Sequence, residues 1–237
     1  MRPETGATGE KWTAPSGSPT PSTQPPGQPN PELAAALAEF QQAVAGKKAG
    51  HICAAYQLLR KAGAGMKLQD LLRLADQALG QPALNLIVSA FSHYHCFMCN
   101  GGTMRCDQCH GSGFIDDNRP CPICDGLGLD ECEFCRGTGW ADRDVIPTEL
   151  RRGVLTRQFQ HVREDVQHLV KTFMGMTTKD IANLDPAHRR ELAAWLLRLR
   201  GRLNDLLKQE APRTNQERAH FASVAAKIDQ CLKILWK

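Results

Sequence analysis

The sequence predicts a mainly α-helical protein in which two helical blocks flank an inserted cysteine-rich hairpin. Apolar residues recur at three- and four-residue spacing on both sides of residues 96–139, as they do along the buried face of a helix. Between these stretches, eight cysteines form four Cys-x-x-Cys pairs, each followed closely by glycine. The apolar stripes are wide enough to require a packing partner, so we expect the two blocks to pack together and the hairpin to project from them.

Residues 1–30 form a Pro-, Ser- and Gly-rich N-terminal segment that contains seven prolines. Such a composition offers almost no apolar surface to bury, so burial cannot offset the entropy lost on ordering. We therefore predict a disordered arm. A docking peptide centred on Trp12 is the alternative interpretation of this segment.

Residues 31–92 are predicted to form a block of four helices. Breaks between them are expected at the glycines of residues 46–50, at Gly63 and at Gly80, since glycine commonly ends helices. The fourth helix opens after Pro82 and leads directly into the first cysteine pair.

Residues 146–237 are predicted to form a second, basic helical block of three helices. The first follows Pro147 and ends near Gly175. The second begins at Asp185, where an Asp-Pro dipeptide supplies an N-cap and a first-turn proline. From residue 151 onward the chain holds 17 Lys and Arg against 9 Asp and Glu, a net charge of +8.

The cysteine-rich segment between the blocks, residues 93–142, has the spacing of a metal-binding module. Two residues between paired cysteines let one tight turn present both sulfurs to one ion, and four thiolates complete a structural Zn²⁺ site. Glycine after the second cysteine lets the backbone curl back with positive φ, so that N–H groups can point at the sulfurs. Eight thiols therefore predict two Zn²⁺, with an iron–sulfur cluster or disulfides as the alternatives.

Four pairs taken two at a time allow three arrangements, and the intervals between the pairs favour a nested one. Six residues separate the first pair from the second and seven separate the third from the fourth, whereas the eleven in the middle include the turn-rich stretch 116–120. Nearly equal arms around a turn indicate a hairpin folded back on itself; sequential pairing stays open as the alternative. The nested scheme predicts an outer zinc site of Cys96, Cys99, Cys132 and Cys135, and an inner zinc site of Cys106, Cys109, Cys121 and Cys124.

The four units resemble the cysteine-rich zinc domain of DnaJ-type chaperones, whose repeat is Cys-x-x-Cys-x-Gly-x-Gly. The resemblance covers residues 96–139; three units match fully, and the first has Thr103 where the second glycine belongs. It implies that pairs one and four share one zinc, that pairs two and three share the other, and that the module offers a groove to protein substrates.

The rest of the chain differs from that family. It has no His-Pro-Asp tripeptide and no Gly/Phe-rich linker, and its periodicity after the zinc module is helical rather than that of a β-sandwich. Because that tripeptide is what J-domain proteins use to stimulate DnaK-type ATPases, we expect no such stimulation here.

These observations favour a non-enzymatic protein that acts by protein–protein contact, as a chaperone-like holder of unfolded or assembling clients. Apolar residues inside the pairs, Phe97, Ile123 and Phe134, are candidates for that contact. A thiol–disulfide oxidoreductase or isomerase is the alternative, because Cys-x-x-Cys is also a redox motif. Catalytic zinc is disfavoured, since a four-cysteine site leaves no open position for water.

Charge argues against nucleic-acid binding by the zinc module. Residues 96–140 hold three Arg against seven Asp and Glu, a net charge of −4 before the thiolates are counted, whereas a phosphate backbone requires positive charge. A weaker alternative places nucleic acid on the basic C-terminal helices, where the simplest interpretation of the arginines is a solvated face. The arginines concerned are Arg189, Arg190, Arg198, Arg200 and Arg202.

No stretch reaches 18 consecutive apolar residues, so no membrane-spanning helix is predicted. Clustered cysteines without a secretory signal predict a reducing cytoplasm. Cys53 and Cys231 fall within helical patterns and are predicted to be core residues. His93 and His95 precede the first pair and are weaker alternatives as metal ligands.

Overall fold

The computed structural model describes residues 30–116, 119–173, 177–209, 211 and 214–235. The predicted arm, with Trp12, lies outside the described residues apart from Asn30. The side chain of Asn30 accepts a 3.0 Å hydrogen bond from the Glu32 N–H and so caps the first helix.

Four helices form the N-terminal part of the fold. They are α1 (Pro31–Ala45), α2 (Ala49–Ala62), α3 (Leu68–Leu79) and α4 (Ala83–Ser92). Gly80, at φ +65°, supplies the left-handed residue that ends α3. The Asp76 carboxylate then accepts a 2.6 Å hydrogen bond from the Ala83 N–H, which fixes the start of α4 after Pro82.

The cysteine-rich segment folds into two short antiparallel sheets nested one inside the other. The strands are β1 (Thr103–Arg105), β2 (Phe114–Asp116), β3 (Arg119–Pro120) and β4 (Leu129–Glu131). Strand β1 pairs with β4, with Met104 opposite Asp130, and β2 pairs with β3 at the hairpin end. A further bridge joins His95 to Trp140 where the chain enters and leaves the module.

The C-terminal part begins with two 3₁₀ turns, Arg143–Val145 and Thr148–Leu150. Four helices follow: α5 (Arg151–Phe173), α6 (Thr178–Ala182), α7 (Pro186–Lys208) and α8 (Asn215–Leu235). Asp185 caps α7 as predicted, since its carboxylate accepts from the backbone N–H groups of Ala187 and His188. The predicted end of the first helix near Gly175 falls outside the described residues.

The predicted fold class is confirmed: helices dominate, and the described strands all belong to the cysteine-rich hairpin. Helix α6 was not predicted, because five residues are too few to show an apolar period. Its local signal is a capping box, in which Thr177 and Asp180 hydrogen-bond to each other's backbone N–H.

The described residues form two hydrophobic cores, and the limits of these cores differ from those of the two sequence blocks. The N-terminal core is centred on Tyr56 and Phe91, whose rings meet edge to face at 6.1 Å. Ile146, Leu150 and Val154 also pack into this core, although they follow the cysteine-rich segment in sequence. The rest of α5 packs with α7 and α8 in the C-terminal core, so α5 connects the two.

No helix in the described part of the chain is both long and apolar enough to span a membrane.

Candidate metal centre

The structure brings the eight paired cysteines together in two groups of four. Within each group, the four sulfur atoms all lie within 4.8 Å of one another. The outer group is Cys96, Cys99, Cys132 and Cys135, and the inner group is Cys106, Cys109, Cys121 and Cys124. The first pair therefore meets the fourth and the second meets the third, which is the nested arrangement and not the sequential one.

The sulfur–sulfur distances fit a shared metal ion. The sulfurs of Cys99 and Cys135 are 3.6 Å apart, as are those of Cys109 and Cys124. A tetrahedron with Zn–S bonds of about 2.3 Å has edges of about 3.8 Å, whereas a disulfide requires a bond of about 2.05 Å. None of the ten cysteines, all of which are among the described residues, forms a disulfide. The four-thiol groups thus fit Zn²⁺, which when bound in such closed sites stabilises the local fold.

In each pair the second sulfur accepts a hydrogen bond from a backbone N–H group. Such bonds disperse the negative charge of a thiolate and orient it toward a metal. The donors are the amides of Gly102, Gly113, Gly128 and Gly139, which lie 3.2–3.3 Å from the sulfurs of Cys99, Cys109, Cys124 and Cys135, respectively.

The two knuckles of each group press backbone against backbone, which only glycine permits. Gly113 has φ +84°, and a Cβ atom placed there would lie 2.3 Å from the carbonyl oxygen of Gly126. In the outer group, a Cβ atom on Gly102 would lie 2.2 Å from the carbonyl oxygen of Gly137. The motif glycines therefore serve the approach of one knuckle to the other as well as the turn itself.

The first knuckle is shorter than the others by one residue. Gly102 donates to a cysteine three residues back, whereas Gly113 donates to one four residues back. Gly102 also accepts a 2.9 Å hydrogen bond from the Cys132 N–H, as Gly113 accepts one of 2.8 Å from Cys121. Gly102 is thus the counterpart of the second motif glycine, and Thr103 is the first residue of β1. The prediction that Thr103 stands where the second motif glycine belongs was therefore wrong by one position.

Burial and hydrogen bonding give the thiols of each group different acidities. Burial raises the pKa of Cys109, but the Gly113 N–H and neighbouring thiols lower it by more, to about 6. Burial likewise raises the pKa of Cys132, yet hydrogen bonds make the net direction downward. Burial prevails at Cys124, whose pKa rises to about 12. The pKa of Cys109 in the inner group and that of Cys132 in the outer group are therefore lowered, which favours the thiolate, the form that binds metal.

Helix α7 packs directly on the fourth knuckle of the outer group. A Cβ atom on Gly201 would lie 2.7 Å from the carbonyl carbon of Gly137 and 2.9 Å from the carbonyl oxygen of Arg136. Any side chain at position 201 would therefore separate the helix from the knuckle.

Arg202 secures this contact from the next position along α7. Its Nε donates a 2.9 Å hydrogen bond to the Thr138 carbonyl, and its Nη1 lies 3.3 Å from the Asp165 carboxylate on α5. Its guanidinium carbon also lies 4.9 Å from the ring centroid of Trp140, within cation–π range. Burial lowers the pKa of Arg202 while Asp165 opposes that shift. One side chain thus joins the cysteine-rich module to two helices.

Arg200 makes a second bridge from α7, to other partners. It pairs with Glu131 on β4 and, at 2.9 Å, with Asp229 on α8. Arg198 is half-buried, and its guanidinium lies beside Gly101 of the first knuckle. The prediction that these arginines form a solvated face was wrong for Arg198, Arg200 and Arg202. Each of these side chains faces the cysteine-rich module or a neighbouring helix.

The remaining two arginines of that set lie at the start of α7. Arg189 donates to the Leu184 carbonyl and is half-buried, whereas Arg190 is exposed. A solvated position is thus found for Arg190 only.

The cysteine-rich module is docked on the helical body and does not project from it. Leu127, in the third knuckle, and Trp140, at the end of the module, are buried in the C-terminal hydrophobic core. The expectation of a projecting hairpin was wrong because these two apolar residues, outside the cysteine pairs, attach the module to that core.

The single cysteines and the histidines near the first pair belong to neither four-thiol group. Cys53 is buried in the N-terminal core, as predicted, and Cys231 packs partly buried against the C-terminal core. The His93 ring lies 4.5 Å from that of His161 on α5. His95 pairs through its backbone with Trp140. In the described part of the chain, the candidate metal groups contain cysteines alone.

The knuckles expose large apolar side chains. Phe97 is 90% exposed, Phe134 is 64% exposed and Ile123 is 62% exposed. Each stands between the two cysteines of a pair, where the tight turn that presents both sulfurs inward directs the intervening residues outward. Further exposed apolar residues on the module are Met98, Phe114 and Ile115.

Gln158 on α5 was missed by sequence reasoning. It is only 2% exposed, and its Oε1 atom has no hydrogen-bond partner among the described residues. The sequence could have indicated its burial, because Gln158 lies four residues after Val154 and four before Val162, which are both on the buried face of the helix. A polar residue in that register is one that a purely structural helix would avoid.

Comparison with known proteins found no family model, no curated protein and no solved structure that matches this chain.

Proposed function

We propose that this chain binds two Zn²⁺ in a rigid module and that the module holds other proteins by direct contact, as unfolded or assembling clients. The observation that carries the proposal is the exposure of Phe97, Phe134 and Ile123 on the knuckles. Zinc in the closed four-thiol sites would fix the backbone that bears these side chains.

The position of the two phenylalanines supports a contact surface centred on the outer group. Phe97 belongs to the first knuckle and Phe134 to the fourth, and these knuckles share one set of four thiols. Exposed aromatic side chains are costly to leave in water and are enriched where proteins meet other proteins. A surface of this kind suits clients that expose apolar segments.

The resemblance to the DnaJ-type zinc domain agrees with this proposal. It concerns residues 96–139 alone, and the two helical cores around the module have no counterpart in the motif. The helical body therefore acts here as the support of the module, through Gly201 and Arg202 of α7.

A thiol–disulfide oxidoreductase has less support. Seven of the eight paired cysteines are buried and Cys99 is half-buried, and each sulfur has three others within 4.8 Å. That arrangement is typical of structural zinc, whereas a redox cysteine is accessible to its substrate. Nucleic-acid binding through α7 also has less support, because Arg200 and Arg202 are engaged in ion pairs within the protein.

Aggregation suppression tests the proposed function. The zinc-loaded full chain is mixed with a guanidinium-unfolded client enzyme, the denaturant is diluted, and light scattering is followed. We expect suppression by the wild type and a substantial loss of suppression in the double variant Phe97→Ser/Phe134→Ser, which leaves all eight thiols in place. The matched control is Leu58→Ser, because Leu58 is 44% exposed but lies on α2, away from the module.

Zinc content is measured on every variant, so that loss of the contact surface is separated from loss of the metal. If the wild type fails to slow aggregation, or if the double variant performs as well as the wild type, the proposed contact surface is wrong.

A further inference from the structure

The outer four-thiol group is met by two arginines of α7, of which only one is paired with a carboxylate. Arg198 and Arg202 lie four residues apart and so share one side of the helix. Arg202 pairs with Asp165 and donates to the Thr138 carbonyl of the fourth knuckle. Arg198 lies beside Gly101 of the first knuckle. Each of the two knuckles that form the outer group is thus met by one guanidinium from the same helix.

Arg198 has no partner within the described residues that balances its charge. Its side chain is half-buried, and a Cβ atom on Gly101 would lie 3.0 Å from its Nη1 and 3.3 Å from its Cζ. Its Nε is shielded from solvent and makes no hydrogen bond, and no described carboxylate forms an ion pair with it. A guanidinium held partly out of water without an opposite charge destabilises a folded protein.

The outer group can supply the missing negative charge when it holds a metal. Four thiolates around one Zn²⁺ leave a net charge of −2. Burial lowers the pKa of Arg202 and the charge of Arg198 lowers it further, whereas Asp165 and the Cys135 thiolate raise it. The two guanidinium groups therefore lie within electrostatic range of each other, and Arg202 lies within range of an outer ligand. Charges that are partly buried are screened less than charges at the surface.

The charges near the inner group are different. At the matching place of the second knuckle, the side chain beside Gly111 is that of Arg105, which is exposed. Near Gly126 of the third knuckle, Arg190 is also exposed, and Arg189 donates a hydrogen bond to a backbone carbonyl of the helical body. Solvent weakens the interactions of exposed charges, so the inner group should depend little on any one of these arginines.

We propose that Arg198 is a positioning residue of the outer zinc site. Its guanidinium is the counter-charge of the four outer thiolates when they hold Zn²⁺, so the outer ion is held more tightly because α7 lies against the module. This inference rests on the proposed zinc binding and deepens it, because it makes the two zinc sites unequal and couples the occupancy of one of them to the helical body.

The test measures zinc affinity at each site of the full chain. The zinc-loaded protein is titrated with a chelator of known zinc affinity. The ¹³Cβ shifts of Cys99 and Cys109, which change when zinc leaves, report the outer and the inner group, respectively. Arg198→Met keeps most of the side-chain volume but removes the charge, and we expect it to weaken zinc binding at the outer group about tenfold. The inner group should keep its affinity within about twofold.

Two further variants separate charge from packing. Arg198→Lys restores a positive charge and should bring the outer zinc affinity back to within about threefold of the wild type. Arg152→Met removes a positive charge from an exposed position at the start of α5 and should leave both zinc affinities unchanged. A role of Arg198 in packing alone would make Arg198→Lys and Arg198→Met equally weak.

Three results would overturn the inference: unchanged outer affinity in Arg198→Met, equal weakening of both groups, or an Arg198→Lys protein as weak as Arg198→Met. If Arg198→Met does not fold, Arg198→Lys still decides, since a loss of about tenfold at its outer group would show that charge is not what the site requires.

These results are distinct from failure of the proposed function. If the wild type binds zinc in both groups and the Arg198 variants match it, the zinc module stands and only the inference is wrong. If the Cys99 signal of the wild type does not respond to zinc, the outer zinc site itself is wrong. If the zinc affinities change as expected but aggregation is not suppressed, the inference stands and the holder function is wrong.

Discussion

Gly201 of helix α7 lies in backbone contact with Gly137 of the fourth knuckle: a Cβ atom on Gly201 would be 2.7 Å from the Gly137 carbonyl carbon and 2.9 Å from its oxygen. This closeness joins the outer four-thiol group to the C-terminal core. The metal module and the helices are therefore expected to depend on each other for stability.

Gly201→Ala is expected to lower the free energy of unfolding by about 1–3 kcal/mol, because backbone atoms that cannot move aside occupy the space of the new methyl group. The result would run against helix propensity, which favours alanine over glycine by about 1 kcal/mol. Denaturant unfolding followed by circular dichroism measures the change. Gly153→Ala on α5 is the control, since its methyl group would meet only the Val88 side chain, at 3.2 Å. Equal effects of the two substitutions would contradict the proposed contact.

Arg202→Met is expected to destabilise the protein by about 2–4 kcal/mol, because it leaves Asp165 and the Thr138 carbonyl without their partner in a mostly buried site. Arg202→Lys should recover only part of the loss, since an ammonium group cannot reach both acceptors while stacking on Trp140. Arg190→Met, at an exposed position of the same helix, should change stability by less than about 0.5 kcal/mol. Thermal unfolding of the three variants decides the matter; a neutral Arg202→Met would refute the bridging role.

Gly113→Ala is expected to reduce the zinc content from two ions to one per chain. The added methyl group would lie 2.3 Å from the Gly126 carbonyl oxygen, so the second and third knuckles could not close on one ion. Gly65→Ala is the control, because Gly65 also has a positive φ, +92°, but has nothing within 4 Å of the added atom. Metal release by a chelating dye measures both. A Gly113→Ala protein that retains two zinc ions would show that the knuckles do not need this approach.

Stability is expected to fall as the pH drops below about 6.5, in part because of His161. Burial and the neighbouring His93 lower the pKa of His161 below its ordinary value. Between that lowered pKa and the ordinary one, the unfolded chain binds a proton that the folded chain does not, so acid favours unfolding over this interval. His161→Phe should flatten the dependence of Tm on pH between about 7.5 and 5.5. Thiol protonation affects the Tm of both proteins equally. A difference in Tm between wild type and variant that stays constant across this pH range would therefore contradict the role of His161.

Much of the fold could be predicted from the sequence, because a long helix with one buried face repeats its apolar residues every three or four positions. The intervals between the cysteine pairs also favoured the grouping that the structure shows, although they left sequential pairing open. Helix α6 and the one-residue-shorter first knuckle could not be predicted, since each depends on hydrogen bonds made by one or two residues, such as Thr177 and Gly102.

The surroundings of Arg200, Arg202 and Gln158 could not be predicted for a different reason. The sequence of a helix does not show whether an arginine is solvated or pairs with a distant carboxylate. Arg200 pairs with Asp229, which is 29 residues away. Gln158 differed from its neighbours only by occupying an apolar register. Tertiary contacts decide such cases: Arg200 meets strand β4 and helix α8, and Arg202 meets the fourth knuckle and helix α5.

Native mass spectrometry of the zinc-loaded chain and two double variants tests the nested zinc sites most directly. We predict two Zn²⁺ in the wild type, one in Cys99→Ser/Cys135→Ser, which removes two ligands from the outer group, and none in Cys99→Ser/Cys109→Ser, which removes one ligand from each group. Two ions lost from the first variant and one from the second would show that neighbouring pairs share an ion, and would contradict the nested arrangement of the two zinc sites.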